Sequence, residues 1–292
     1  MRNTRIGAAL GALVAALSIV AVGGGSAQAD PAGCPSLYVL AVPGTWEPSA
    51  SGGQQAGMLG PATSGLPANV RTDYVTYAAT AFPWESEVYA RSKKEAVDRG
   101  RGMVAAMAGQ CPATRVAIIG YSQGADAAGD LAAEIGTGIG AIAPNRVVAV
   151  ALISDPRRAP ADALVGTPVG GGGAGGPRIG GFGFLSPVVK TFCAPGDLYC
   201  STASDDFVTR FAGYLAQTSD PNPANFGRYQ QEGFLIFNDL MRSGGLPVIQ
   251  DQLNDEANEK RREQLEEFYG GGAHFDYGYA TSWVHNWLSD LA

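Results

Sequence analysis

Gly120-Tyr121-Ser122-Gln123-Gly124 joins a short apolar run to a stretch of helical periodicity, and few folds accept that sequence of events. The pattern G-x-S-x-G describes a sharp strand-to-helix turn that lifts a serine hydroxyl above a sheet edge. With 41 glycines in 292 residues the bare pattern is common, so its flanks must carry the reading. Residues 114–119 read as a buried strand running into the turn. From Gln123 onward Ala125, Ala128, Leu131, Ala132 and Ile135 recur at helical spacing. Strand, turn and helix stand in the order that makes Ser122 a candidate nucleophile, with the free N–H groups of a helix N-terminus beside it.

The rest of the chain supplies the matching architecture. Runs 37–42, 70–77, 115–119, 146–153 and 188–192 are short, apolar and rich in Val and Ile, as strands covered on both faces are. Helical stretches alternate with them, notably 86–108. The alternation predicts an α/β fold: a central five-stranded, mostly parallel sheet with helices on both faces. Residues 166–183 are so glycine-rich that they read as a flexible surface loop, and the formal G-x-G-x-x-G inside them lacks a strand–helix frame.

Residues 1–29 have the form of a secretory signal peptide. Arg2 and Arg5 make a basic start, 6–22 is apolar, and Ala27-Gln28-Ala29 is a small-x-small cleavage site. An uncleaved anchor is the alternative. The remaining residues, 30–292, fit one domain. Without Arg2 and Arg5, 18 basic residues face 27 acidic ones, a net charge of −9 that disfavours a nucleic-acid partner. Export would put Cys34, Cys111, Cys193 and Cys200 in an oxidising compartment, where an even count favours two disulfides. Three pairings are open, and a local Cys193–Cys200 bridge across a Pro-Gly turn would leave Cys34 with Cys111. Two histidines and no C-x-x-C spacing argue against a metal site.

A serine hydroxyl needs an imidazole to take its proton and a carboxylate to hold that imidazole. His274 lies in a loop before the terminal helical stretch, and His285 lies within that stretch beside tryptophans. The loop position, after the last strand, is where α/β-hydrolases deliver their histidine. The acid is Asp155 at the end of the fourth strand, Asp197 after the fifth, or Asp276.

The chain resembles the cutinase family of serine esterases. Gly-Tyr-Ser-Gln-Gly is that family's elbow, a cysteine lies eleven positions before the serine, Cys193-x-x-Gly-Asp-x-x-Cys200 matches its acid block, and His274 with Tyr277 matches its histidine motif. The resemblance implies an α/β-hydrolase fold with Ser122 as nucleophile, Asp197 as acid and His274 as base. It implies disulfides Cys34–Cys111 and Cys193–Cys200, and an oxyanion hole built from Thr45 and the Gln123 N–H. It implies neither metal nor organic cofactor. Pro43-Gly44-Thr45-Trp46-Glu47 and Gly180-Gly181-Phe182-Gly183 resemble the cell-envelope members from mycolate-containing actinobacteria. Those act on lipid esters, with phospholipase and thioesterase activity.

The expectation is therefore a secreted or envelope-associated monomer hydrolysing lipid or other acyl esters. A lipid acyltransferase or thioesterase and a silent lipid-binding protein are the alternatives. One departure stands out. Asp197 and His274 are 77 positions apart, much further than in compact cutinases, and most of the excess is an insertion at 217–272. It holds a charged stretch, 249–268, that reads as one helix: a solvated surface helix, or a lid or membrane-contacting flap.

Overall fold

A computed structural model describes residues 33–47, 55–270 and 272–292. The signal-peptide reading of 1–29 lies outside the described residues. Among the described residues six strands form the sheet: β1 (Leu37–Val42), β2 (Val70–Tyr74), β3 (Arg115–Tyr121), β4 (Val147–Ile153), β5 (Leu164–Val165) and β6 (Val189–Phe192). The helices are α1 (Gly60–Thr63), α2 (Tyr89–Gln110), α3 (Gln123–Gly136), α4 (Phe207–Gln217), α5 (Phe226–Arg242), α6 (Leu246–Gln252), α7 (Asp255–Tyr269) and α8 (Gly278–Asp290). Short 3₁₀ turns link several of them.

The sheet order is β2-β1-β3-β4-β6-β5, and every pairing is parallel. The five expected strands are present, and the sixth, β5, is a two-residue edge too short to leave a periodic trace. Chain direction across the sheet reverses between β1 and β3. In an open parallel sheet a crevice opens there, outside the carboxyl ends of the strands. The loops after β1 and β3 carry Thr45 and Ser122 to that crevice.

Both faces of the sheet are covered. Tyr38, Leu40, Ile118, Val150 and Leu152 pack with α2 and α3 on one side. Val39, Ile119, Ala151, Ile153 and Phe192 pack with Val284 and Leu288 of α8 on the other. Double burial explains why these strands read as continuous apolar runs. Disulfides join Cys34 to Cys111 and Cys193 to Cys200, in keeping with an oxidising compartment.

Two expectations need correction. The 249–268 stretch is not one helix. It breaks between α6 and α7, where Asn254 caps α7 by accepting from the Ala257 N–H at 2.8 Å. A side chain that satisfies a free N–H at that point makes a new helix start more favourable than continuation. The 166–183 segment is not a free surface loop. Gly173 N–H donates to Arg158 O and Gly175 N–H to Pro156 O, both at 2.8 Å, Gly172 bridges Thr202, and Arg178 is buried.

Arg178 organises a charge network beneath α3. Its guanidinium reaches Asp155 Oδ2 at 2.6 Å and Asp130 Oδ1 at 2.9 Å. Lys93 of α2 meets Asp130 at 2.9 Å, and Arg157 meets Glu232 of α5 at 2.6 Å. Burial drives the Asp155 carboxyl above its ordinary value even with Arg178 opposing it. Asp130 is held well below its ordinary value, because Lys93, Arg178 and Arg157 outweigh its burial.

Candidate active site

Ser122 stands between β3 and α3 at φ 56° and ψ −124°, a conformation that costs a non-glycine residue free energy. The surrounding packing enforces it. A Cβ on Gly120 would come within 2.4 Å of Gly124 O, and one on Gly124 within 2.0 Å of Val42 O. Ser122 N–H is tied to Ile153 O at 2.9 Å. The turn is therefore clamped between β1, β4 and α3.

Ser122 Oγ lies 3.0 Å from His274 Nε2. His274 Nδ1 faces Asp197, at 3.1 Å from Oδ2 and 3.2 Å from Oδ1. The candidates left open by the sequence are thus separated by geometry. Asp155 pairs with Arg178, Asp276 is exposed, and His285 lies half-buried along α8. Asp197 is fully buried. Burial alone would raise its carboxyl; hydrogen bonding and charge from His274, with donors Ser154 and Tyr277, outweigh that and hold it below its ordinary value. Ser154 Oγ and Tyr277 OH each donate to Oδ2 at 2.6 Å, and Tyr199 N–H donates to Oδ1 at 3.0 Å. Tyr121 OH fixes the loop itself by donating to His274 O at 2.7 Å.

Thr45 Oγ1 lies 3.5 Å from Gln123 Oε1, which places the two expected oxyanion residues side by side. The Gln123 carboxamide is buried and donates to Thr80 O at 2.9 Å. Glu47 holds the loop after β1. Its carboxylate accepts from Gly44 N–H at 2.6 Å and Met58 N–H at 2.7 Å. Burial lifts the Glu47 carboxyl above its ordinary value, against those two hydrogen bonds and the charge of His274.

Two clefts are relevant to the placement of Ser122. The larger, about 580 Å³, is lined by charged side chains of the Arg178 network and does not include Ser122. The smaller, about 330 Å³, contains Ser122 and His274, and its lining is largely apolar. Trp46 and Phe82 form one side, while Ala212, Gly213 and Ala216 of α4 form another. Phe268 of α7 lies over the imidazole, ring centres 4.2 Å apart. A serine beside an imidazole in an apolar cleft makes a better candidate site than a larger cavity whose charges already neutralise one another.

Sequence reasoning missed Ser154, Tyr199 and α4 as parts of this site. Phe268 ends the charged stretch that was read as a surface helix or a lid.

The cutinase family model matches residues 33–226, well over half of the chain. A carboxylesterase Culp6 homolog from Corynebacterium glutamicum is 32% identical over 206 residues, covering 59% of this chain and 67% of that one. Among solved structures, the catalytic core domain of acetyl xylan esterase from Trichoderma reesei aligns at 20% identity and TM-score 0.48, covering 70% of this chain and 98% of that one. Lysin B from Mycobacteriophage D29 aligns at 19% identity and TM-score 0.49, covering 72% and 91%. His274 lies beyond the matched 33–226, yet it folds back onto Ser122. The chain belongs to the cutinase family of serine esterases.

Proposed function

We propose that this protein is an exported hydrolase of lipid-type acyl esters working through Ser122, His274 and Asp197. The observation that carries the reading is the 3.0 Å contact between Ser122 Oγ and His274 Nε2 on the wall of an apolar cleft. Nε2 accepts the Ser122 proton as Oγ attacks the ester carbonyl. Asp197 holds the Nδ1–H tautomer and stabilises the imidazolium that forms. The imidazolium then protonates the leaving alkoxide, and water, deprotonated by the same Nε2, releases the acyl enzyme. No step requires a metal or an organic cofactor. Hydrolysis of p-nitrophenyl esters from two to sixteen carbons by the mature protein and by Ser122→Ala tests it. Ser122-dependent turnover with a long-chain optimum is the expected result, and absence of turnover at every length overturns it.

The oxyanion is assigned to the Gln123 N–H at the start of α3 and to the Thr45 hydroxyl. Thr45→Val keeps the shape and removes the donor. It should lower kcat on the order of 10²–10³-fold while KM changes little. An unchanged kcat would remove Thr45 from the hole.

The insertion is assigned to substrate handling. Phe268 against His274 places its far end at the cleft, and α4, just before it, forms a wall. Its middle, α5, turns Tyr229, Ile236 and Leu240 inward and leaves Phe226, Phe234, Phe237 and Met241 more than half exposed. Those four fall on one stripe of the helix with no charge among them, a face suited to contact with a lipid surface. Replacing Phe234 and Phe237 together by serine should reduce turnover of emulsified long-chain esters several-fold and leave dissolved short esters unaffected. Equal effects on both substrates would count against surface contact.

A further inference from the structure

Ser154 is a serine that no part of the triad chemistry requires, yet it touches two members of the triad at once. It follows β4, is fully buried, and does not line the cleft. Its backbone has φ 54°, in the left-handed region where a serine is strained. Its N–H donates to Phe192 O at 2.8 Å, which ties it to the end of β6, just ahead of the Asp197 loop. Its Oγ lies 2.6 Å from Asp197 Oδ2 and 3.1 Å from His274 Nδ1.

The proton inventory defines what that hydroxyl does. Nε2 must accept from Ser122, so Nδ1 carries the hydrogen. Three oxygens share it: Asp197 Oδ2 at 3.1 Å, Asp197 Oδ1 at 3.2 Å and Ser154 Oγ at 3.1 Å. All three lie at the upper end of the N–H···O range and are nearly equal, so a fork rather than one short bond holds the imidazole. The single hydroxyl proton of Ser154 is engaged by Asp197 Oδ2, so a lone pair faces Nδ1–H. Tyr277 OH donates to the same Oδ2 at 2.6 Å, and that oxygen is thereby doubly occupied.

We infer that Ser154 is a positioning residue that sets the orientation and the basicity of His274 for the acyl-transfer reaction. It does so in two ways. Its lone pair accepts part of the Nδ1–H bond and fixes the plane of the ring. Its O–H withdraws negative charge from Asp197, which weakens the pull of the carboxylate on the imidazolium. No proton leaves Ser154 at any step. The strained backbone fits this role, because φ 54° is the conformation that aims Oγ between the two side chains.

The inference rests on the triad reading above, and the test separates the two. Ser154→Ala removes the hydroxyl and keeps the strained backbone. Ser154→Gly removes the hydroxyl and relieves the strain, so it safeguards folding. Both variants are compared with an active wild type on a dissolved short ester. If the wild type shows no Ser122-dependent turnover, the triad reading fails first. Given an active wild type, both variants should lose about tenfold in plateau kcat, as expected for one hydrogen bond to a charged group. KM should not change. The acid limb of the kcat/KM profile should move to higher pH by up to about one pH unit, because the full charge restored to Asp197 favours the imidazolium more than the loss of a neutral acceptor at Nδ1–H disfavours it. Of the other titratable groups around the ring, Glu47, Tyr121 and Tyr199 are untouched by either substitution, and Tyr277, which also meets Ser154, keeps its own 2.6 Å bond to Asp197 Oδ2. In the proton spectrum the His274 Nδ1–H resonance should move downfield, as its bond concentrates on Asp197. A wild-type pH profile in both variants, a kcat loss with no movement of the acid limb, or a loss confined to KM would each overturn the inference. The first leaves Ser154 idle, the second makes it structural, and the third places it in binding.

Discussion

Ser122→Ala should abolish ester hydrolysis, lowering kcat by on the order of 10⁵–10⁶-fold on a dissolved short ester, while the variant stays folded. The size follows from the loss of the covalent route. Without Oγ, His274 has nothing to deprotonate in the position the elbow prepares. What is left is the oxyanion hole and binding, which accelerate attack by water only modestly. The fold should survive because the clamp on the turn is made by the backbone: Ser122 N–H to Ile153 O and the close approaches at Gly120 and Gly124. Asp197→Asn should cost about 10⁴-fold, since the amide can offer Nδ1 a donor in place of an acceptor and so favour the wrong tautomer. Asp155→Asn provides the contrast. That carboxylate faces Arg178 and not the imidazole, so its replacement should act on stability and leave the pH profile of the surviving enzyme unchanged. Initial rates with circular dichroism on the same samples check both halves. Retained activity in Ser122→Ala would remove the serine from the mechanism.

Arg178→Ala should lower the unfolding free energy by about 3–5 kcal/mol, the largest single-residue effect on stability expected here. Arg178 is buried and holds Asp155 at 2.6 Å and Asp130 at 2.9 Å, and it donates to Asp126 O at 2.8 Å. Its removal leaves at least one buried carboxylate without its main counter-charge, and burial already drives Asp155 upward. Lys93 ties α2 to α3 through Asp126 and Asp130, and Arg157 beside the same network meets Glu232 of α5, so the loss should be felt beyond α3. Against a total stability of roughly 5–15 kcal/mol, such a variant is marginal at growth temperature. Denaturant midpoints of Arg178→Ala and of Lys260→Ala make the comparison. Lys260 pairs with Glu256 on the exposed face of α7, and that substitution should leave the midpoint where it was. Equal midpoints for wild type and Arg178→Ala would show that the network is dispensable.

The legible parts of this protein are those in which a short segment contains its own cause. A doubly covered strand needs a continuous apolar run, so β1, β3 and β4 stand out. The elbow needs its glycines within two residues of the serine. Asp197 sits between cysteines seven positions apart, and that spacing marks the loop. The helices α4 and α5 were harder to see, because α5 is apolar on two faces and contains Gly227 and Gly233, which blurs a single periodic stripe. Residues 166–183 misled for a related reason. Glycine richness normally signals a free loop, but here the chain passes close against other backbone, where a side chain would not fit, and Arg178 then anchors it.

By itself, the sequence determined the order of the five main strands and the position of the nucleophile turn, because each depends on periodicity or on residues within a few positions of one another, and its motifs carried the family resemblance. It narrowed the acid to three aspartates and the base to two histidines, and the family resemblance indicated one of each. Only the tertiary structure decided which groups meet. Ser122 and His274 are 152 positions apart, and Ser154 and His274 are 120 apart. Such contacts depend on the parallel packing of β3, β4 and β6, which brings the ends of non-adjacent segments to one edge. Phe268 over the imidazole and Arg178 under α3 have the same origin. They are set by where the sheet puts the chain, and no local pattern encodes them.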